Sequence, residues 1–272
     1  MNESIKDRLL NTDYYLASLC REFFKIEKYG KNEPDVSKMK LVLDDNFNTF
    51  NTNNWRIGQP WGEFHPDYLY EYYGKDSVYV KNNHLVCDNR YQPQKFINNG
   101  SEVTIPFSIG IITSQNFYGY GFYQFVVKLP IGVGLWPAVW LTGSNSWPPE
   151  IDINESYSDA NGDYDNNLQS NLHFNIQGPN IEDSGPRNHP IYDITNKITF
   201  SCWWTKDFIK IYYNGYLVRS ITSDYTLKWF RDKQMMIVLG TGIQPGYVSN
   251  LPTNVNGSIS NMEIYSAKVW QD

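Results

Sequence analysis

The sequence predicts an all-β chain folded as a sandwich of two antiparallel sheets, with a short helical segment at its N-terminus, and three observations carry the expectation. Short runs of β-branched and aromatic residues recur from Met39 to the C-terminus, with few helical stretches between them. Asn214-Gly215, set between Ile209-Lys210-Ile211-Tyr212-Tyr213 and Tyr216-Leu217-Val218, is the signature of a tight hairpin. Aromatic residues make up 16% of the chain, with 9 Trp and 21 Tyr, and such side chains fill a pleated core well. The same excess suits a surface that stacks on the flat faces of sugar rings. Composition leaves both readings open.

Residues 1–38 stand apart from the rest. Ile5, Leu9, Leu16, Leu19, Phe23 and Ile26 recur at roughly helical spacing, and Gly30 is placed to end the helix. Lys31-Asn32-Glu33-Pro34-Asp35 reads as a linker. This segment is expected to pack on the body, to join it to something larger, or to contact a partner or second subunit. Residues 39–272 form the β domain. Its strands are predicted at Leu41–Leu43, Ser77–Val80, His84–Cys87, Gly110–Ser114, Tyr123–Leu129, Ala138–Leu141, Glu150–Glu155 and Leu172–Asn175. Further strands follow at Ile198–Trp203, Ile209–Tyr213, Tyr216–Ser220, Met235–Leu239 and Ser258–Trp270.

One of these strands is chemically unusual. Glu150-Ile151-Asp152-Ile153-Asn154-Glu155 holds three carboxylates in six residues. Pro148-Pro149 before it disfavours helix, and the isoleucines favour an extended backbone. In a regular strand Glu150 and Asp152 share a face while Glu155 points the other way. One extra residue bulged out of register returns Glu155 to the first face. Three acids on one face repel, so packing gives no reason to gather them. Cleavage of a glycosidic bond does give one. It uses one carboxylate as nucleophile and one protonated carboxyl as acid, roughly 5–5.5 Å apart when the anomeric configuration is retained.

Other chemistries are poorly served. The net charge of −6 argues against a nucleic-acid partner and against an anionic membrane surface. No apolar run approaches the length of a transmembrane helix. Cys20, Cys87 and Cys202 are widely spaced and read as buried thiols rather than a disulfide framework. His65, His84 and His189 show no metal spacing, and neither a metal nor a cofactor is expected. No nucleophile elbow or phosphate-binding glycine loop is present.

The neighbours of the acid strand are the remaining candidates. Trp136 and Trp140 lie four apart in Gly134-Leu135-Trp136-Pro137-Ala138-Val139-Trp140-Leu141 and share a strand face, as core or as an aromatic wall. His173, in Leu172-His173-Phe174-Asn175, falls on what should be an adjacent strand. Trp61, in Gln59-Pro60-Trp61-Gly62-Glu63-Phe64, is either a packed loop residue or a platform for a sugar.

Taken together these stretches resemble glycoside hydrolase family 16. Glu150-x-Asp152-x-x-Glu155 is similar to its signature, in the bulged form of the laminarinase, agarase, porphyranase and carrageenase branches. Ile112-Thr113-Ser114, Tyr120-Gly121-Phe122-Tyr123, the tryptophan strand at 134–141, the hairpin at 204–215 and Lys268-Val269-Trp270-Gln271 resemble family segments in the right order. The resemblance implies a jelly-roll sandwich with a concave face that binds β-linked polysaccharide. It implies Glu150 as nucleophile, Glu155 as acid/base, Asp152 between them, Trp136 and Trp140 along the substrate, and His173 close to the acid/base. β-1,3- or mixed-linkage glucan is the first expected substrate and an algal galactan the second. A carbohydrate-binding jelly roll that adheres without cleaving is the alternative. The chain departs from the family at Gln124-Phe125-Val126, where Glu-x-Arg is common and the arginine is missing, and in the loop at 62–67. The start, Met1 to Asp7, lacks the basic-then-apolar order of a signal peptide, whereas the family implies extracellular action.

Overall fold

The computed structural model describes residues 32–59, 62–143, 146–159, 161–162, 164, 167–177, 180–183, 185–190, 194–254 and 257–272. The helical segment expected before residue 32 lies outside them. In chain order the strands are β1 (Lys40–Asp45), β2 (Trp55–Ile57), β3 (Glu71–Tyr73), β4 (Val78–Lys81), β5 (His84–Asn98), β6 (Ser101–Ile109), β7 (Ile111–Ser114), β8 (Gly121–Lys128) and β9 (Leu135–Gly143). They continue as β10 (Glu150–Glu155), β11 (Asn167–Gln177), β12 (Asn180–Asp183), β13 (Arg187–Pro190), β14 (Ile198–Trp204), β15 (Ile209–Tyr213), β16 (Tyr216–Ile221), β17 (Met235–Ile243) and β18 (Ser258–Gln271).

These strands form two sheets. The first runs β16-β15-β14-β8-β18-β5-β6-β3, with β1 on β18 and β4 on β5. The second runs β12-β11-β10-β9-β17-β7-β2, with β13 on β11. Alternation explains how they meet. Phe125 and Val127 of β8 and Phe200 and Cys202 of β14 point inward, against Val139, Leu141, Ile151, Ile153, Ile237 and Leu239 of the second sheet. All of these side chains are fully removed from water, so one apolar layer holds the sandwich shut. Cys87 and Cys202 are free and buried, as expected for packed thiols.

The hairpin forms as the sequence predicts. Tyr213 pairs with Tyr216, and Asn214 and Gly215 have φ of 51° and 84°, the left-handed pair that a two-residue turn requires. Two expectations need correction. The strand expected to end at Cys87 runs on to Asn98 and pairs with β6, which the sequence reading did not predict. Pro93 hides the continuation, because proline cannot donate to a ladder. The register slips between Tyr91 and Gln94, which leaves Pro93 in a bulge where no donor is needed. The sheets are also not wholly antiparallel, since β3 runs parallel to β6. The chain passes from β3 through a single 3-10 turn at Lys75–Ser77 into β4 without reversing, and two reversals later β6 runs the same way.

Candidate active site

The acid strand carries the predicted bulge. On β9, Asp152 pairs with Trp140, then Asn154 pairs with Val139 and Glu155 with Ala138. Ile153 is therefore extra. Ile153 and Asn154 both lie fully buried, and Glu155 returns to the side of Glu150 and Asp152, so that all three acids line one cavity.

The bulge is held from the opposite sheet. The Tyr213 hydroxyl on β15 lies 2.8 Å from the Ile153 carbonyl oxygen and 3.1 Å from that of Gln169. Asn154, turned inward by the bulge, is satisfied by the Ser156 hydroxyl at 2.8 Å, which donates to its side-chain oxygen. Tyr213→Phe keeps the ring but leaves a buried carbonyl without its donor. The expected cost is about 1–3 kcal/mol of stability, with a fall in kcat as Glu155 loses its fixed position. Thermal melts and steady-state kinetics check this; a variant that melts and turns over like the parent would show that β15 does not hold the bulge.

The cavity encloses about 520 Å³ above the concave face of the second sheet. Trp136, Ala138 and Trp140 of β9 form one wall, and Gly240 and Gly242 of β17 form the floor. A side chain at Gly240 would begin 2.5 Å from the Gly110 carbonyl oxygen, so the strands can meet there only without one. Glu71 and Tyr73 of β3, with His65 and Tyr68 from the preceding loop, close the far side.

Each glutamate is met by an indole. The Trp136 Nε1–H donates to Glu155 Oε1 at 3.2 Å, and the Trp147 indole lies beside Glu150 and lowers its carboxyl. His173 lies opposite Glu150 on β11, with Nε2 3.3 Å from Asp152 Oδ2 and its ring 5.8 Å from that of Trp147. Burial pushes the Glu150 carboxyl well above the usual carboxylate range, and repulsion from Asp152 adds to the rise. His173 and the Trp147 indole pull it back. Burial also raises Glu155, against the lowering effects of the Tyr157 hydroxyl, His173 and the Trp136 indole. The site therefore has two carboxyls held in reluctance to ionise, with partners that stabilise charge once it develops.

Glu150, Asp152 and His173 bring their ligating atoms within 4.8 Å of one another, a spacing that would also admit a cation.

Most of the sequence candidates converge. Glu150, Asp152, Glu155, Trp136 and Trp140 all line the cavity, which takes the two tryptophans out of the core. His173 is adjacent, but its direct contact is with Asp152, and its influence on Glu155 is the more distant one. Trp61 lies outside the described residues, while Gln59 and His65 of its loop do line the cavity. Trp147, Tyr157 and Glu71 were not singled out from the sequence. Trp147 stood in plain view, immediately before the prolines that open the acid strand. Tyr157, whose ring lies 5.1 Å from that of Trp136, and Glu71, in a run of tyrosines, carry no local signal.

Known proteins bear on this geometry. The sequence model described as glycosyl hydrolases family 16 matches residues 69–258. The glucan endo-1,3-beta-glucosidase A1 of Niallia circulans is 22% identical over 88% of the chain and 39% of its own length. The endo-1,3-1,4-beta-glycanase ExsH of Rhizobium meliloti (strain 1021) is 28% identical over 60% of the chain and 33% of its own length. The chain thus spans between a third and two fifths of these relatives. The structure of SCLam, a non-specific endo-beta-1,3(4)-glucanase, superposes with a TM-score of 0.68 at 25% identity, covering 86% of this chain and 92% of that one. An endo-beta-1,3-glucanase from Pyrococcus furiosus gives 0.68 at 24% identity, over 86% and 94%. The shared architecture is the jelly-roll sandwich.

Proposed function

The chain belongs to glycosyl hydrolases family 16, and on that premise we propose that its cavity cleaves β-1,3- or mixed-linkage glucan within the polymer, with retention at the anomeric carbon. The observation that carries the proposal is the bulged acid strand, which aims Glu150 and Glu155 into one cavity, with the Trp136 indole donating to Glu155 and Trp147 beside Glu150. The ionised Glu150 carboxylate attacks the anomeric carbon while the Glu155 carboxyl gives its proton to the departing glycosidic oxygen. The carbon–oxygen bond breaks and a glycosyl ester forms on Glu150. Glu155, now ionised, takes a proton from water, the resulting hydroxide equivalent attacks the same carbon, and Glu150 leaves. Asp152 lies beside Glu150 and His173 and raises the Glu150 carboxyl by repulsion, while His173 lowers it toward the ionised state that attack needs.

The bulge supports placing the chain with the laminarinase, agarase and carrageenase side of the family. Within that side the lining favours a neutral polymer. Among the described residues that line the cavity there is no lysine or arginine to meet a sulfate, and the lining is mostly acidic where it is titratable. The names of the relatives, a glucan endo-1,3-beta-glucosidase and an endo-1,3-1,4-beta-glycanase, point the same way. Digestion of a polysaccharide panel with product analysis is the test. Oligosaccharides of intermediate length are expected early from β-1,3- and mixed-linkage glucan, with the β-anomer formed first by NMR. Release from a galactan alone would overturn the substrate, and binding without release of reducing ends would favour the adhesive alternative.

A further inference from the structure

Glu71 is a buried carboxyl that the chemistry proposed above does not use. It opens β3, is 6% exposed, and lines the cavity. Its Oε2 accepts the Ile243 backbone N–H at 2.8 Å. Among the described residues Oε1 has no hydrogen-bond partner. That atom lies 3.7 Å from the point where a side chain on Gly242 would begin. Gly242 has none, so the oxygen faces the space that the glycine leaves open. Gly242 pairs with Trp136, so it is two strands, roughly 10 Å, across the sheet from β10 and two residues, roughly 7 Å, further along the strands than Glu155.

We propose that Glu71 determines specificity by hydrogen-bonding an uncharged, hydroxyl-bearing sugar unit seated over Gly242; this rests on the reading of the cavity as a glucan cleft. An isolated carboxyl without a cation is costly to bury, and a packed apolar side chain would stabilise the fold more. A ligand that completes its hydrogen bonding gives the residue a use. Desolvation raises its pKa to about 8, and the Ile243 N–H lowers it only in part. At neutral pH one oxygen then accepts from Ile243 while the other carries a proton to donate to a sugar oxygen. The titratable groups that face it are Tyr68, Tyr70 and Tyr73 on its own segment and His65 in the same lining. The other packed strands supply none, since β6 presents Phe107, Ser108 and Ile109, and β17 presents Gly242 and Ile243. An ionic sugar at this position would meet no counter-charge. The consequence is selection of neutral units away from the point of cleavage.

The experiment measures binding of a β-1,3-glucan oligosaccharide by calorimetry in a Glu150→Gln background, and KM and kcat in the otherwise intact enzyme. Glu71→Leu is expected to raise Kd and KM about tenfold, the size of one lost hydrogen bond, with kcat changed by less than about threefold. Glu71→Gln keeps an acceptor for Ile243 and a donor for the sugar, and is expected to restore binding. The parent's affinity should shift as pH rises through about 8 and the donor gives way to an acceptor, while the glutamine variant's should not. Unchanged binding in a folded leucine variant overturns the proposal and leaves the glucan reading standing. If the leucine variant does not fold, parent and glutamine profiles that coincide above pH 8 overturn it. A Glu150→Gln protein that binds no glucan oligosaccharide overturns both.

Discussion

Glu150→Gln is expected to lower kcat on a β-glucan by about 10⁴-fold or more, while oligosaccharide still binds. Glutamine fills the same space beside the Trp147 indole, so the cavity keeps its shape. It cannot form an ester with the anomeric carbon, and both chemical steps run through that ester. Glu155→Gln should fail differently. It leaves the nucleophile in place and removes the proton donor, so glucan bonds, whose leaving oxygen is basic, suffer most. An aryl glucoside oligomer with an acidic phenol as leaving group needs no protonation, and its first step should survive in Glu155→Gln as a burst of phenol. Glu150→Gln should give no burst with either substrate. Burst kinetics on the two variants therefore assign the roles independently of overall activity. A burst in Glu150→Gln and none in Glu155→Gln would reverse the assignment, and full turnover in both would remove these residues from the chemistry.

The acid strand was legible in the sequence because its logic is local. Alternation on a strand has a period of two, so the spacing of Glu150, Asp152 and Glu155 could share a face only through a bulge, and the register shift at Ile153 is that bulge. Trp136 and Trp140 were ambiguous for the same reason. Period two says that they share a face but not which side of the sheet the core occupies; that became definite only when Val139 and Leu141 were found inside. The parts that were missed are set by tertiary contacts. Tyr213 holds the Ile153 carbonyl across 60 residues of chain, and Glu71 meets Ile243 across 172. No pattern within either stretch announces such a meeting. Pro93 misled because a proline argues against a strand everywhere except in a bulge, and whether a bulge exists depends on the partner strand.

The pH dependence gives the second large effect, through Asp152. Glu150 must be ionised to attack and Glu155 must be protonated to donate, so the rate falls in acid as Glu150 takes up a proton and in alkali as Glu155 loses one. Both carboxyls are raised, chiefly by burial, so both limbs of the profile are expected above the ordinary carboxylate range. The two limbs belong to the coupled pair, but they do not share all their causes. Repulsion by Asp152 raises Glu150. Asp152→Asn removes that repulsion. The limb of kcat/KM set by Glu150 should then move to lower pH, further than the limb set by Glu155. The optimum rate should still fall by about 10²-fold or more, because the group that orders His173 and separates the two glutamates has lost its charge. His173→Gln makes the contrast. His173 lowers both carboxyls, so its removal should carry both limbs upward together. If Asp152→Asn instead moves both limbs equally, Asp152 acts through His173 rather than directly on the nucleophile; if it moves neither, its charge has no part in holding the two glutamates apart.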